Sequence, residues 1–452
     1  MPTTGISSSI RRRRRPLHGI LNLFGNVREE EALTVFLMMC NIFLILAGYY
    51  VSKTVREPLI LASWGAKEKS YLSGVMAIVL VGFIPLYGWF SSKVERKKLL
   101  FGFNLFFLLT LEFFWMAAMM GVSDKILGIM FFVWVGIFNN SIIAQFWSFG
   151  NDLYRTEAGQ RIFPVIGIGM TLGAILGPKL AGVFSQAEVW IYHLLQFTAI
   201  SLVLSMALYW WIERREREMV RQQTPPLQLK SGSGGFRLLL KNPYLLLICL
   251  LIILLNLVNT TGGFIMDETL VAEAKRLAPL DLAAQKKFLL DFSAGFLFWV
   301  NTAAALIQMF LVSRIVKYLG MAGALLTLPL VALGAYGMVF SGVTLLFLRV
   351  AKIAENSCDY SIMNTARAML WLPTSREEKY KAKQAADTFI VRAGDVLSAV
   401  VVLVGTTFLG LGLQWMTGFN LLICSAWLVV AFLLLRRYQR LAAAKQNESI
   451  SV

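Results

Sequence analysis

Long apolar runs separated by short polar turns dominate this chain, and the runs repeat about as often as a membrane-crossing helix needs. Stretches near 33–54, 70–91, 99–121, 126–148, 162–185 and 189–212 are each long enough to cross a ~30 Å hydrocarbon core at ~1.5 Å per residue. After a polar interval they resume near 242–264, 289–313, 318–340, 343–371, 384–410 and 414–435. The pattern predicts an all-α integral membrane protein with 12 transmembrane helices in two six-helix halves. The halves are 32–212 and 242–437. They are flanked by tails at 1–31 and 438–452 and joined by a linker at 213–241 that is first charged, then rich in Pro and Gly.

One run breaks the apolar rule. The segment from Arg349 to Asp395 carries Arg349, Lys352, Glu355, Asp359 and Arg367 before it reaches Pro373. At about 100° per residue, Arg349, Lys352, Asn356, Asp359, Met363 and Arg367 share an arc of roughly 80°, with Glu355 just outside it. Lipid does not hold such charges, so this stripe is expected to face a polar cavity. A basic hairpin comes next, with Arg376, Glu378 and Lys381, and then a helix bearing Asp387, Arg392 and Asp395. Asp387 or Arg392 is in reach of Arg367 or Asp359 on the preceding helix.

Charge placement orients the chain. Of its 43 Lys and Arg, 29 fall in the tails and even-numbered turns and 9 in the odd-numbered turns, so both termini are expected to be cytoplasmic. The net charge of +17 thus reflects membrane topology rather than nucleic-acid binding. Hydrophobic residues make up 57% and charged residues only 15%, well under the quarter expected of a soluble chain. Four isolated cysteines and two histidines offer no metal-ligand spacing, and no cofactor motif is present. In the tail, Leu17, Ile20, Leu21 and Phe24 are spaced as a short amphipathic helix on the membrane surface, with a solvated coil as the competing reading.

Several polar groups sit where lipid or a substrate must decide their role. Lys53 and Arg56, three residues apart at the end of span 1 with Glu57 beside them, suit a cationic clamp or interfacial snorkelling. Pro58 is expected to end that helix. Asn139 and Asn140 in span 4 and Asn259 in span 7 suit either substrate hydrogen bonds or helix–helix bonds. Gly169, Gly173 and Gly177 recur every fourth residue and predict close helix packing, while Lys179 just after them is expected to line a cavity. Glu112 is a lone carboxylate in span 3, suited to carrying a proton or to a structural hydrogen bond. Lys93, Arg96 and Asp152 join Arg376, Glu378 and Lys381 as candidates for a cytoplasmic gate.

The layout of twelve spans about a central cytoplasmic linker resembles the major facilitator fold. Phe146 to Asp152, Pro164 to Gly177, and above all Glu377-Glu-Lys-Tyr-Lys-Ala-Lys383 followed by Ala386-Asp387 and Gly394-Asp395 resemble the ATP:ADP antiporters of plastids and intracellular bacteria, including their uncharacterised bacterial relatives. That resemblance implies counter-exchange of nucleotides across a bacterial inner membrane. It matches the family's Lys-Asp pair to Arg56-Glu57, its span-10 lysine to Arg367 and its span-11 basic residue to Arg392. Where those exchangers carry acids in spans 4, 7 and 10, this chain has Asn139 or Asn140, Asn259 and Asn364.

Three functional classes are consistent with these features. The first is a secondary transporter, a monomer in the bilayer, moving an anionic small molecule such as a nucleotide; its substrate-binding candidates are the clamp, amide and stripe residues above. The second is a proton-coupled exporter of another small organic molecule, with Glu112, Glu355, Asp387 or Asp395 among the candidate coupling groups. The third, a membrane enzyme or lipid-handling protein, lacks the paired acid and base or metal cluster it would need, and no Walker motif supplies ATP hydrolysis.

Overall fold

The computed structural model describes residues 18–154, 156–221, 235–342, 344–375 and 377–450, and among these every regular element is helical. The first half of the chain forms α1 (Ala32–Ser63), α2 (Ala66–Lys93), α3 (Arg96–Met119), α4 (Asp124–Leu153), α5 (Thr156–Gln186) and α6 (Leu194–Arg221). The second forms α7 (Pro243–Leu277), α8 (Leu282–Leu306), α9 (Val312–Phe340), α10 (Leu345–Cys358), α11 (Asn364–Leu370), α12 (Val391–Leu403) and α13 (Leu413–Ile450). Residues 1–17, the linker core 222–234, Arg376 and the side chain of Arg96 lie outside the described residues. Leu17 and Arg11 to Arg15 are among the residues so left out. Of the surface-helix residues expected there, Ile20 and Phe24 are exposed whereas Leu21 is buried, which corrects that expectation.

Among the described residues, ten helices are long and apolar enough to cross a membrane. The expected spans 8 and 9 fall in one stretch, Leu282–Phe340, interrupted at Gly320, whose φ of 60° and ψ of −150° break the helix. That conformation favours glycine. The expected span 10 is too charged to qualify by composition, and it is divided by a π-helical turn at Asp359–Met363 into α10 and α11.

One expected boundary is wrong. Helix α1 continues through Pro58 to Ser63 instead of ending before it. Proline forfeits only the hydrogen bond to the carbonyl four residues earlier, a loss that membrane helices accommodate.

The helices gather into two compact units. The first comprises Met1–Glu57, Phe90–Leu227 and Leu290–Phe298; the second comprises Pro58–Trp89, Gln228–Leu289 and Trp299–Val452. Part of α8 therefore belongs with the first unit, and most of α2 with the second.

In the first unit, α1 and α5 run parallel in a glycine register. A Cβ at Gly169 would lie 2.2 Å from the Met39 carbonyl oxygen, one at Gly173 2.5 Å from that of Phe43, and one at Gly177 2.6 Å from that of Ala47. Each step of four along α5 thus meets a step of four along α1, as the spacing predicted. Helix α6 packs on α1 through small polar groups. The Ser205 hydroxyl bonds Asn41, and the Thr198 hydroxyl lies 2.9 Å from that of Ser52 and donates to the Gly48 carbonyl at 2.8 Å. Between α3 and α4, the Trp134 indole donates to Thr110 at 2.8 Å, and the Phe107 and Phe138 rings meet edge to face with centroids 5.0 Å apart.

The second unit is tied by longer polar side chains. Tyr244 donates to the Leu370 carbonyl at 2.6 Å, and Thr261 donates to Asn420 at 2.8 Å. Lys69 on α2 forms an ion pair with Asp267 on α7 at 2.7 Å.

Candidate functional site

In the first unit, the end of α1 presents a cation beside a neutralised pair. Arg56 donates to the neighbouring carboxylate of Glu57, its Nε lying 3.1 Å from Oε1, and its guanidinium sits 4.4 Å from the Phe132 ring centroid. Lys53, one helical turn earlier, is half-buried with Nζ 5.4 Å from the Tyr50 ring centroid. Lys179 on α5 is exposed on the same face as Leu172, Leu176 and Val183, and its Nζ lies 5.5 Å from the Phe298 ring centroid. Since Gly177 meets Ala47 and Tyr50, the parallel register sets Lys53 and Lys179 within about one turn of each other along the two helices, with Lys179, about 200° round from Gly177, on the side of α5 turned away from α1. Among the described residues, neither lysine is joined to a carboxylate.

The other first-unit candidates are more self-contained. Asn140 donates to the Gly136 carbonyl of its own helix at 2.9 Å, and Asn139 is half-buried. Glu112 accepts from the Gln196 amide at 2.9 Å, the structural hydrogen bond the sequence left open. Of the gate candidates, Asp152 is half-buried on α4, and Lys93, the last residue of α2, is exposed.

The second unit holds a buried polar cluster that the charged stripe only half foretold. Lys352 is 2% exposed and Glu355 3%, and they pair at 2.9 Å. The other oxygen of Glu355 accepts from the Tyr336 hydroxyl at 2.7 Å, and Lys352 also donates to Tyr336 at 3.3 Å. Asn259 on α7 accepts from Lys352 through its side-chain oxygen at 3.3 Å. Room for this knot comes from Gly262: a Cβ there would lie 1.6 Å from the Tyr336 hydroxyl and 3.1 Å from Lys352 Nζ.

The expectation of one charged stripe facing a polar cavity is therefore corrected over its middle. A single 100° step per residue fails across Asp359–Met363, because a π-turn closes with an extra residue and shifts the phase of the helix beyond it. Lys352, Asn356 and Met363, placed on the polar arc, are buried, while Glu355, placed outside it, is the partner of Lys352. The rest of the stripe is only partly covered. Asp359 is half-buried, whereas Arg349 lies near the start of α10. Arg367 reaches Asp387 at 3.1 Å, one of the pairings allowed by the sequence, while Arg392 turns to Asp395 on its own helix at 3.0 Å.

Beyond α11, Lys381 pairs with Glu377 at 2.9 Å on an exposed face. Glu378 accepts from the Asn242 amide at 2.7 Å and from the Ser375 backbone N–H at 2.8 Å. Partial burial pushes its pKa up, but these hydrogen bonds outweigh it and hold the carboxyl below its ordinary 4.5.

Tyr336, Gly262 and Asp267 escaped the sequence reading. A tyrosine in an apolar run is a fair signal that its hydroxyl has a buried partner. The other two had no local signal, because their roles depend on residues far along the chain.

Comparison with known proteins gives the chain a family and relatives. A family model described as "Major Facilitator Superfamily" matches residues 31–366. ADP,ATP carrier protein 1 of Chlamydia pneumoniae is 25% identical over 347 residues, 67% of this chain and 66% of that protein. The chain thus spans just under two thirds of that relative's length. ADP,ATP carrier protein 1, chloroplastic, of Arabidopsis thaliana is 21% identical over 90% of this chain and 74% of its own. The resemblance expected from the sequence is borne out by these relatives. In fold, the chain is similar to the nucleoside transporter NupG at a TM-score of 0.64 and 13% identity, covering 89% of this chain and 98% of that one. A bacterial homologue of the lysosomal transporter Spinster gives 0.61 at 14% identity, covering 92% and 99%.

Proposed function

The chain belongs to the Major Facilitator Superfamily, and on that premise we propose that it is a secondary active transporter that exchanges nucleotides, NTP against NDP, by alternating access. Twelve crossings in two six-helix halves with both termini cytoplasmic complete this reading.

The observation that carries it is charge imbalance in the first unit. Lys53 and Lys179 stand within about one turn of each other on two parallel helices, and among the described residues no carboxylate is joined to either, while Arg56 already has Glu57. Uncompensated cations attract anions, and phosphate oxygens are suited to them. Asn139 and Asn140 add amide donors without the repulsion that carboxylates would bring. The names of the Chlamydia and Arabidopsis relatives support a nucleotide as the anion.

Exchange rather than net flux is the expected mode, from the same imbalance. Occluding the empty site would enclose its lysines in a low-dielectric interior without a counter-charge, a costly step in reorienting the carrier. A bound polyphosphate removes that cost in either direction, so each inward turn calls for an outward cargo.

Proteoliposomes containing the full chain test this. Uptake of labelled ATP is expected only when ADP or ATP is loaded inside, and Lys53→Ala is expected to lower it at least about tenfold while the protein remains folded. No uptake of any nucleotide, or uptake driven by a pH gradient without internal nucleotide, would overturn the proposal; the latter would favour a proton-coupled exporter.

A further inference from the structure

The first unit buries more amide groups than its own side chains satisfy. Asn41 on α1, Asn104 on α3 and Gln145 on α4 are 0%, 0% and 3% exposed. Among the described residues, Asn41 Nδ2, Asn104 Oδ1 and both Nε2 and Oε1 of Gln145 have no hydrogen-bond partner within the protein. Polar groups shut away from solvent are ordinarily bonded, so a set of them in one place points to a partner that the chain does not supply.

The helix registers bring these atoms to one level. Helix α4 touches α1 where Phe138 meets Tyr49, with ring centroids 6.5 Å apart, and again at Gly150, where a Cβ would lie 3.6 Å from Met38 Cε. Asn41 falls between those contacts on α1, and Gln145 between them on α4. Helix α4 also touches α6 where Phe149 meets Tyr209, with centroids 4.9 Å apart. One turn back from that contact lie Gln145 and Ser205, and the Ser205 hydroxyl bonds Asn41 Oδ1. Since Phe138, Gln145 and Phe149 share a face of α4, Gln145 is aimed at the seam between α1 and α6. Helices α3 and α4 run in opposite directions, with Thr110 at Trp134 and Phe107 at Phe138. Leu100 lies as far before Phe107 as Gln145 lies after Phe138. Asn104 Nδ2 donates to the Leu100 carbonyl at 2.8 Å, which draws its amide back to the level of Gln145.

The chemistry of the four atoms selects the occupant. Asn41 Nδ2 and Gln145 Nε2 are donors, whereas Gln145 Oε1 and Asn104 Oδ1 are acceptors. A cation there would face two N–H groups and an anion two amide oxygens. Water both donates and accepts. We propose that ordered water is held among α1, α3, α4 and α6, accepting from Asn41 and Gln145 and donating to Gln145 and Asn104. It joins α3 and α4 to the pair that Asn41 and Ser205 already form. A rocking carrier moves its helices as a group, and this node fastens one such group about three turns along α1 from Lys53. The inference does not rest on the nucleotide reading, and its test does not read transport.

Water-edited solid-state NMR of the full chain, isotopically labelled and reconstituted in lipid vesicles, is the test. The Gln145 side-chain signal is identified by its loss in Gln145→Met, or in Gln145→Leu should the first variant not fold. It is expected to draw magnetisation from water at mixing times at which the backbone amides of Phe131 and Val135, buried in the same helix, draw none. No transfer to Gln145 would overturn the proposal, because amides paired directly with one another stay dry. Thermal unfolding gives an independent sign. Gln145→Met removes the water's main partner and strands Asn41 and Asn104, so a lower unfolding temperature is expected, partly recovered by adding Asn104→Leu. An unchanged or higher unfolding temperature in Gln145→Met would also overturn the proposal, since removing an unsatisfied amide relieves a cost.

Discussion

The two units solve the same problem, packing helices whose surroundings offer no water, by opposite means. In the first, backbones come close enough that Gly169, Gly173 and Gly177 leave no space for a methyl group, and the polar ties are mostly short hydroxyls such as Ser52, Thr198 and Ser205. No π-turn occurs there among the described residues. The second unit has five, at Ile307–Leu311, Asp359–Met363, Glu378–Ala382, Ala386–Ile390 and Val404–Phe408, and it buries a lysine and a glutamate. Close packing favours regular helices and small groups. A π-turn shifts the phase of a helix at the cost of its regularity, while Lys352 and Glu355 themselves lie in the regular α10, just before the turn at Asp359–Met363.

The largest effect expected from breaking this contrast is in the second unit. Lys352→Met leaves Glu355 buried without its counter-ion, which is expected to cost about 3–5 kcal/mol. Combining it with Glu355→Gln should recover most of that, as read from thermal unfolding of the purified protein. If the double variant is no better than the single one, the pair is not what makes the single change costly.

A smaller effect sharpens the other side. Gly173→Ala would set a methyl group against the backbone of Phe43 and is expected to cost about 1–3 kcal/mol. Gly167→Ala on the same helix meets nothing within 4 Å and should be neutral. Equal unfolding temperatures for the two variants would refute the glycine register.

The smallest effect is a pH dependence at the edge of the second unit. The depressed pKa of Glu378 means that its tie to Asn242 contributes stability above its ordinary 4.5 and loses it as pH falls through the lower folded value. Hydrogen exchange in residues 375–383 should therefore have no Glu378-dependent step at neutral pH and acquire one only below about 4.5, absent in Glu378→Gln. A step near neutrality would contradict the hydrogen-bond pattern.

How much of this was legible in the sequence depended on distance along the chain. Repeats every fourth residue announced the α1–α5 contact, because both partners are regular helices and regularity is what periodicity reads. Arg367 and Asp387, twenty residues apart across one hairpin, were within reach of the same reasoning. The Lys352 cluster was not, since Tyr336, Asn259 and Gly262 come from other helices. Helix continuation past Pro58 was misread because the local rule counts a lost hydrogen bond and not the packing that compensates for it. Of the candidate site, the residue types were legible but not which cations would arrive already neutralised.

A ladder with equal rungs fits itself again after sliding by one rung. With glycines recurring every four residues, α5 displaced along α1 by about 6 Å would find the next set of gaps. Nothing in the rungs themselves tells the helix where to stop. That choice falls to the non-repeating fasteners at the ends, Arg161 on Glu31 above all, so a residue about five turns away along α5 sets the depth at which Lys179 comes to rest.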